Sequence, residues 1–202
     1  PCGDTFTALW GAAPDDGWAA GHSGHVLHWD GSGWTPVPSG TRANLLALWG
    51  ADSDHVWAVG RGGTLLRWDG ATWAAEKIRT HADLYAIHGR SAEDVWVAGD
   101  GGTLLHFDGR RWSAIGTGSK LRFVAVAASP SGDLWLAGED TTDGGLRGHL
   151  CRARNGTCES HEMPPAGNFT SDLFSDLQIG PDGRLWVVQA ALPNLAIRAE
   201  DG

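Results

Sequence analysis

Four polar residues of unlike chemistry occupy one recurring position, each directly after a glycine. They are His22, Arg61, Asp100 and Glu139, at successive intervals of 39 residues. Converging polar groups of this kind could hold a small polar ligand, whereas unselected loop residues would simply be solvated. A hydrolase or lyase would use Asp100 and Glu139 as a carboxylate pair and His22 as acid or base. Because the sequence contains no nucleophile motif, phosphate loop or H-E-x-x-H, we favour binding over catalysis.

The glycines belong to a repeat of 39 residues. Residues 9–34, 48–73 and 87–112 read LWGAAPDDGWAAGHSGHVLHWDGSGW, LWGADSDHVWAVGRGGTLLRWDGATW and IHGRSAEDVWVAGDGGTLLHFDGRRW. Trp18, Trp57, Trp96 and Trp135 follow the same interval, and Trp186 comes 51 residues later because 12 residues are inserted. Internal repeats of this length indicate one structural unit per copy. We assign five copies, at 5–40, 44–79, 83–118, 121–165 and 172–202.

Each copy carries four strand signals, here named strands A to D. In the second copy they lie at 45–49, 55–59, 64–68 and 72–78, where β-branched and aromatic residues alternate with turn formers. Asp-Gly steps at 30–31, 69–70 and 108–109 predict the hairpin turns between strands C and D. Four short strands in about 40 residues are typical of a propeller blade. We therefore predict an all-β fold, a single β-propeller domain of four-stranded blades.

The fifth copy stops at the turn that precedes its strand D. We expect its blade to lack that strand, which would leave an open edge of unpaired backbone groups. Two explanations remain open at this point: the sequence is a fragment of a larger propeller, or a five-bladed ring is closed in another way, for example by a second chain that completes the last blade.

Tryptophan is the most unusual component of the composition, with 12 residues in a chain of 202. Exposed tryptophans could stack on sugars, but these recur at framework positions in nearly every copy. Large aromatic rings fill the space between blades, and burying one contributes on the order of 3 kcal/mol. We therefore interpret most of them as packing between blades.

The copies share the pattern DVWxVGxGGTLLxxDGxxW, which resembles bacterial propeller repeats of the BNR-like and YVTN-like superfamily, including photosystem assembly factor-like proteins. The resemblance covers residues 5–118 well and 121–202 loosely. Asp69–Gly70 lacks the intervening residue of a sialidase Asp-box, so sialidase activity is not implied. The resemblance implies a propeller with a broad binding role, whose ligands lie at the channel end formed by the B–C and D–A loops.

The fourth copy carries a seven-residue insertion in its B–C loop, within the segment EDTTDGGLRG. Asp140 and Asp143 in this segment are weak candidates for calcium, which takes oxygen ligands, although a solvated acidic loop is favoured. His22, His25 and His28 do not converge on one face of a strand, so we predict no zinc site. No other cofactor is expected.

Two cysteines replace a leucine and a tryptophan of the other copies. Cys151 and Cys158 correspond to Leu66 and Trp73, which we expect to face each other across the C–D hairpin. Residues in cross-strand contact are close enough to bridge, so we predict a disulfide and an oxidising compartment. Two reduced thiols are the alternative. Cys2 is left over, as a lipid anchor or a link to a partner chain.

The charge of the chain restricts its partners. With 24 acidic and 15 basic residues the formal charge is -9, which repels nucleic acid and anionic membranes. No apolar run reaches the roughly 18 residues of a membrane span. The chain begins at Pro1 and not at Met, from which we infer a removed leader or an excised domain. With the disulfide, this suggests a secreted, periplasmic or cell-surface protein, and scarce lysine suggests a bacterial source.

We predict a non-catalytic binding module that recognises glycans or a protein partner through the B–C and D–A loops. His88, which stands where other copies have Trp10 and Trp49, is a further candidate for contacting a sugar. The alternatives are a structural domain of a larger secreted protein and, less favoured, a hydrolase or lyase.

Overall fold

The computed structural model of the chain describes residues 5–140, 147–154, 157–161, 174–180, 182–190 and 195–200. Within these residues the chain forms 19 β-strands, three short 3-10 turns and no α-helix. The strands make five sheets, four of them with four strands and one with three. The predicted all-β architecture of successive four-stranded blades is confirmed.

The strands follow one another in chain order within each sheet. The first sheet consists of β1 (Phe6–Ala13), β2 (Asp16–Gly21), β3 (Val26–Trp29) and β4 (Trp34–Pro36), and the second of β5 (Leu45–Asp52), β6 (His55–Gly60), β7 (Leu65–Trp68) and β8 (Trp73–Ala75). The third consists of β9 (Leu84–Ser91), β10 (Asp94–Gly99), β11 (Leu104–Phe107) and β12 (Trp112–Ala114). The fourth consists of β13 (Arg122–Ala128), β14 (Leu134–Asp140), β15 (Arg147–Arg154) and β16 (Thr157–His161), and the fifth of β17 (Phe174–Ile179), β18 (Leu185–Ala190) and β19 (Leu195–Glu200).

Strands A and D differ in length from the prediction. Strand A of the second copy continues to Asp52, because it pairs with strand B as far as the tight A–B hairpin, where Asp52 faces His55. Strand D ends at Ala75 instead of 78. The last backbone bond to it runs from the Glu76 N–H to the Leu65 carbonyl, and strand C offers no further partner beyond Leu65.

The C–D hairpins have the turn that the Asp-Gly steps predicted. In the second copy Asp69 Oδ1 accepts the N–H groups of Ala71 and Thr72, at 3.0 and 2.8 Å. These hydrogen bonds favour the charged carboxylate and hold the pKa of Asp69 below its usual value. Gly70 takes a positive φ of 90°, which glycine adopts without strain. The side chain and the glycine together therefore fix the turn.

Three of the strand-B tryptophans, Trp18, Trp57 and Trp135, are buried, as predicted, whereas Trp186 is 40% exposed. Trp18 and Trp57 are 1% and 0% exposed. The Trp18 ring lies 4.7 Å from the Trp68 ring and 5.3 Å from the Trp73 ring, with the latter in an edge-on arrangement. Both contacts cross from the first sheet to the second, so aromatic packing joins the repeats.

The chain divides into two compact units. The first comprises Pro1–Val97 with His106–Ser113, and the second comprises Ala98–Leu105 with Ala114–Gly202. The second unit has its own apolar core, in which Trp135, Leu150, Phe174 and Leu185 are buried. In the part of the chain that the structure describes, no helix is long and apolar enough to cross a membrane.

Candidate functional site

The four recurring polar residues lie where strand B ends and the B–C turn begins. His22, Arg61 and Asp100 each start a three-residue 3-10 turn, and Glu139 is the second-to-last residue of β14. In the second copy the Thr64 N–H closes the turn on the Arg61 carbonyl at 3.2 Å. The B–C turn and the D–A loop lie at the same end of the strands of a sheet, and we call this end the B–C edge. The polar side chains therefore project from the B–C edges.

The recurring glycine before these residues has a steric cause. At Gly60 a Cβ atom would lie 2.1 Å from the Asn44 carbonyl oxygen, closer than any contact that a side chain tolerates. This close approach allows the Arg61 N–H to bond the same carbonyl at 3.0 Å. The glycine thus lets the B–C turn rest on the residue that precedes strand A of its own sheet.

Arg61 is held by a residue that sequence reasoning missed. Its Nη1 donates to Asp83 Oδ2 at 2.5 Å, and the Gly62 N–H donates to Asp83 Oδ1 at 2.8 Å. Asp83 directly precedes β9, so this pair links the B–C turn of the second copy to the strand A of the third. The Arg61 side chain remains 56% exposed, which leaves its charge accessible at the edge.

The first copy makes the same link without an ion pair. Asn44 directly precedes β5, and its Oδ1 accepts the N–H of Ser23 at 2.9 Å. The His22 N–H bonds the Thr5 carbonyl at 2.9 Å, and the His22 side chain is exposed. The backbone of this turn is therefore fixed while the imidazole faces solvent.

In the second unit the order of charges is reversed. Arg122, the first residue of β13, donates from Nε to Asp100 Oδ1 at 3.0 Å. Its Nη1 lies 3.9 Å from Glu139 Oε2, and the two residues are paired across β13 and β14. Burial raises the pKa of Glu139, against the opposing effect of Arg122. The two carboxylates that would form a catalytic pair thus share one guanidinium.

Two of the predicted site residues, Arg61 and Asp100, are therefore partners in bridges between successive copies. We call Ser23–Asn44, Arg61–Asp83 and Asp100–Arg122 the loop bridges. In the two charged bridges the sequence signal was a residue of opposite charge 22 positions after the first, at a position that Asn44 occupies in the first copy. The structure places His22 and Arg61 in the first unit, and Asp100 and Glu139 in the second.

His88 lies in a row of rings within the first unit. Its ring centroid is 6.2 Å from that of Trp49, which in turn stacks on Trp57 at 5.7 Å. Burial and the nearby charge of Arg90 lower the pKa of His88 below its usual value, so the ring is neutral at pH 7. This environment resembles that of the tryptophan it replaces.

Only part of the acidic insertion is described. Asp140 is the last residue of β14, while Asp143 lies outside the described residues. Across the described ranges, no three or more His, Cys, Asp or Glu side chains are grouped as a metal site would require. Calcium binding by this loop stays a prediction.

The predicted disulfide is confirmed: Cys151 and Cys158 are bonded, with a Cα–Cα distance of 5.5 Å. We had expected the two cysteines to face each other directly across the hairpin, but they do not. Cys151 pairs with Ser160 in the ladder between β15 and β16, whereas Cys158 pairs with Ala153. The bond therefore joins diagonal neighbours, which share one face of the hairpin and are close enough for a bridge. Cys2 lies outside the described residues.

The first sheet exposes an apolar face. Leu9, Trp34 and Phe6 are 71%, 43% and 40% exposed, and they account for three of the four large apolar side chains exposed in the described residues. A groove of about 660 Å³ lies on the same sheet. Its lining includes Phe6, Leu27, Val37, Pro38 and Arg42.

Comparison with solved structures supports the fold. Over 98% of this chain, YCF48 bound to D1 peptide is similar, with a TM-score of 0.69 and 17% identity. The WD40 propeller domain of Doa1 is similar over 93%, with a TM-score of 0.66 and 12% identity. An extracellular domain from B. thetaiotaomicron is similar over 96%, with a TM-score of 0.70 and 8% identity.

These similarities establish the class of fold, a β-propeller. The chain spans 64% of the length of YCF48, 60% of the Doa1 domain and 27% of the extracellular domain. No protein-family model matches the sequence, and no curated protein matches it.

Proposed function

We propose that this protein is a non-catalytic binding module that recognises a protein partner through charged side chains at the B–C edges of its sheets. The observation that carries the proposal is that the framework residues repeat from copy to copy while the residues after strand B differ. The turns, glycines and tryptophans repeat, whereas the exposed groups at the end of strand B change from imidazole to guanidinium to carboxylate. Unlike charges displayed on a repeated framework are suited to recognising one specific partner.

The chemistry of the B–C edges favours a peptide or protein over a glycan. The B–C turns 22–25, 61–64 and 100–103 and the D–A loops 37–44, 76–83 and 115–121 contain no Trp, Tyr or Phe. Sugars usually need an aromatic platform beside their polar contacts. Peptides instead offer charged side chains and backbone groups that pair with exposed Arg and Asp. The similar structure of YCF48 is itself bound to a D1 peptide, which supports the same ligand class here.

The disulfide supports a location in an oxidising compartment, since such bonds are rare in reducing cytosol. We propose a secreted, periplasmic or cell-surface protein. The similarity to an extracellular domain is compatible with that location.

Exchanging the two charges of one loop bridge tests peptide binding separately from the stability of the fold. The variant Arg61→Asp with Asp83→Arg retains an ion pair in the order that Asp100 and Arg122 already use. We expect it to melt within a few degrees of the parent, because the ion pair is kept and only the Gly62 N–H bond to Asp83 Oδ1 is lost. Peptides selected from a displayed library on the parent should bind the variant at least about tenfold more weakly, because their charges meet the reversed pattern.

The matched control is Arg110→Ala, an exposed residue of a C–D turn at the opposite edge of its sheet. It should bind the selected peptides as the parent does. Equal peptide binding by the exchanged variant would show that the pair only joins copies and would remove the proposal. A glycan array probed with the same proteins tests the alternative: sugar binding lost on exchange, without any selected peptide, would also overturn it.

A further inference from the structure

The second copy lacks an ion pair that three other copies keep. In those copies a basic side chain of strand C contacts a carboxylate at the start of strand B or just before it. The contacts are His28–Asp16, His106–Asp94 and Arg152–Asp133. By the period of 39 residues the second copy should carry its carboxylate at position 55, but it has His55 there, and its strand-C base is Arg67. Two basic side chains therefore occupy the places of an ion pair.

The guanidinium of Arg67 lacks the acceptor that its equivalent in the fourth copy has. There Arg152 Nε donates to Asp133 Oδ1 at 2.9 Å, and Nη2 donates to the other oxygen of the same carboxylate. Arg67 Nε is buried and has no hydrogen-bond partner among the described residues. A buried charged donor without an acceptor is costly, and such donors are usually met by a water or an ion. The site therefore needs an acceptor that the described residues do not supply.

The polar side chains nearest to Arg67 are engaged elsewhere. His55 Nδ1 lies 2.7 Å from Asp52 Oδ1, and the His55 ring stands beside the Trp57 ring at 6.5 Å. The Glu76 N–H bonds the Leu65 carbonyl, at the opposite end of strand C from His55. Burial raises the pKa of Glu76 although the charge of Arg67 acts to lower it. A carboxylate in a direct ion pair would have a lowered pKa instead.

Two aromatic rings hold the guanidinium in place. Its central carbon lies 5.2 Å from the centroid of the Trp57 ring and 5.7 Å from that of Phe107. The rings stabilise the cation but accept none of its N–H groups along the plane of the guanidinium. Trp57 and Phe107 are buried, whereas His55 is 37% exposed, so solvent reaches the site at the start of strand B. A ligand therefore meets oriented donors in apolar surroundings, where a charge-assisted hydrogen bond is strong.

We propose that this position of the second sheet binds a carboxylate group, in the place that the aspartate has in the other copies. The two oxygens of the ligand accept from Nε and one Nη of Arg67, as those of Asp133 do from Arg152. The residues of the site all belong to the first compact unit. Because His55 lies at the opposite end of strand B from the B–C turn, the site does not depend on the proposed recognition function.

Titration of the unmodified chain with sodium acetate tests the site, followed by heteronuclear NMR of the arginine Nε–H groups. We expect the Arg67 signal, assigned by its loss in Arg67→Met, to shift and to saturate at about 1 to 30 mM acetate, the range of a single bidentate ion pair. Sodium chloride at equal ionic strength should not reproduce the shift, because a single atom cannot accept two parallel N–H groups. An Arg67 signal that does not saturate, or that chloride shifts equally, overturns the proposal.

The variant His55→Asp supplies from the chain itself the carboxylate that the other copies carry. Its Arg67 signal should start near the acetate-bound position of the parent and should not respond to acetate. Ser53→Asp is the matched control, since it adds the same charge two residues away in the same exposed turn, and it should respond as the parent does. Acetate binding by His55→Asp with the affinity of the parent would contradict this location of the site.

The ligand's carboxylate belongs either to a free small acid or to an Asp or Glu side chain of a partner. Aspartic acid blocked by an acetyl and an amide group presents the carboxylate of a protein side chain. Saturation by both this probe and acetate supports a side chain as the ligand, and saturation by acetate alone supports a free acid. Saturation by neither overturns the proposal.

Discussion

Each of the first four strand-B tryptophans has a basic side chain from strand C against its ring. The ring distances are 4.5 Å for Trp18–His28 and 4.0 Å for Trp96–His106, and the guanidinium carbons of Arg67 and Arg152 lie 5.2 and 5.6 Å from the rings of Trp57 and Trp135. In three copies a carboxylate at the start of strand B or just before it holds the basic group: Asp16, Asp94 and Asp133. The histidines of strand C in the first and third copies thus belong to the packing of their blades.

Asp94→Ala should destabilise the protein by about 1 to 3 kcal/mol in the free energy of unfolding at pH 7, as for the loss of a shared acceptor. Asp94 Oδ1 accepts from Trp96 Nε1 at 2.9 Å and faces His106 Nε2 at 2.8 Å, and Oδ2 pairs with Arg90. Urea denaturation measures the change. Glu93→Ala, one position away and exposed, should stay within about 0.5 kcal/mol of the parent.

The same residue predicts a dependence on pH. Burial acts to raise the pKa of Asp94, but the hydrogen bonds from Arg90 and His106 outweigh it and hold the pKa below its ordinary 3.8. A depressed carboxyl pKa contributes stability above about pH 4, which is lost as pH falls through the folded-state value. The stability difference between parent and Asp94→Ala should therefore shrink below pH 4. A constant difference down to pH 2.5 would show that the carboxylate charge does not matter.

The strands and their turns were the part of the fold that could be read from the sequence. The period of 39 residues and the Asp-Gly steps located each strand to within a few residues, because turn formers and buried tryptophans act locally. The length of strand D could not be read, since it depends on where strand C stops offering partners. The loop bridges were also missed, because Asp83 and Arg122 differ in sign and only the contact across copies relates them.

Two adjacent glycines of the B–C turn test whether backbone geometry and close contacts fix the turn. Gly63 has a φ of 72°, and a Cβ there would lie 2.2 Å from the Thr80 carbonyl oxygen. Gly63→Ala should therefore cost about 2 kcal/mol or more of stability. Gly62→Ser is the matched control: nothing lies within 4 Å of its Cβ position, and Ser23 already occupies the equivalent place with a φ of 55°. Thermal denaturation that ranks the two variants equally would contradict this assignment.

The oxidation state of the three cysteines tests the inferred oxidising compartment. Alkylation of the unreduced, denatured protein should label one cysteine, Cys2, and reduction should raise the count to three. Reduction should also lower the free energy of unfolding by about 2 kcal/mol, since the bridge closes a short loop. The double variant Cys151→Ser, Cys158→Ser should be insensitive to reductant. Labelling of all three cysteines before reduction would exclude the bond and the compartment inferred from it.

The reversed charges of two loop bridges affect which copies of the repeat can pack against each other during folding. The first four copies share the strand-B tryptophan, so a copy that docked one place out of order would still bury that ring. The charges would not agree, because Arg61 of the second copy would meet Arg122 of the fourth copy and not Asp83 of the third. Two like charges at hydrogen-bonding distance repel, which disfavours the wrong neighbour without weakening the right one. The charged loop bridges therefore favour the assembly of similar copies in a single order.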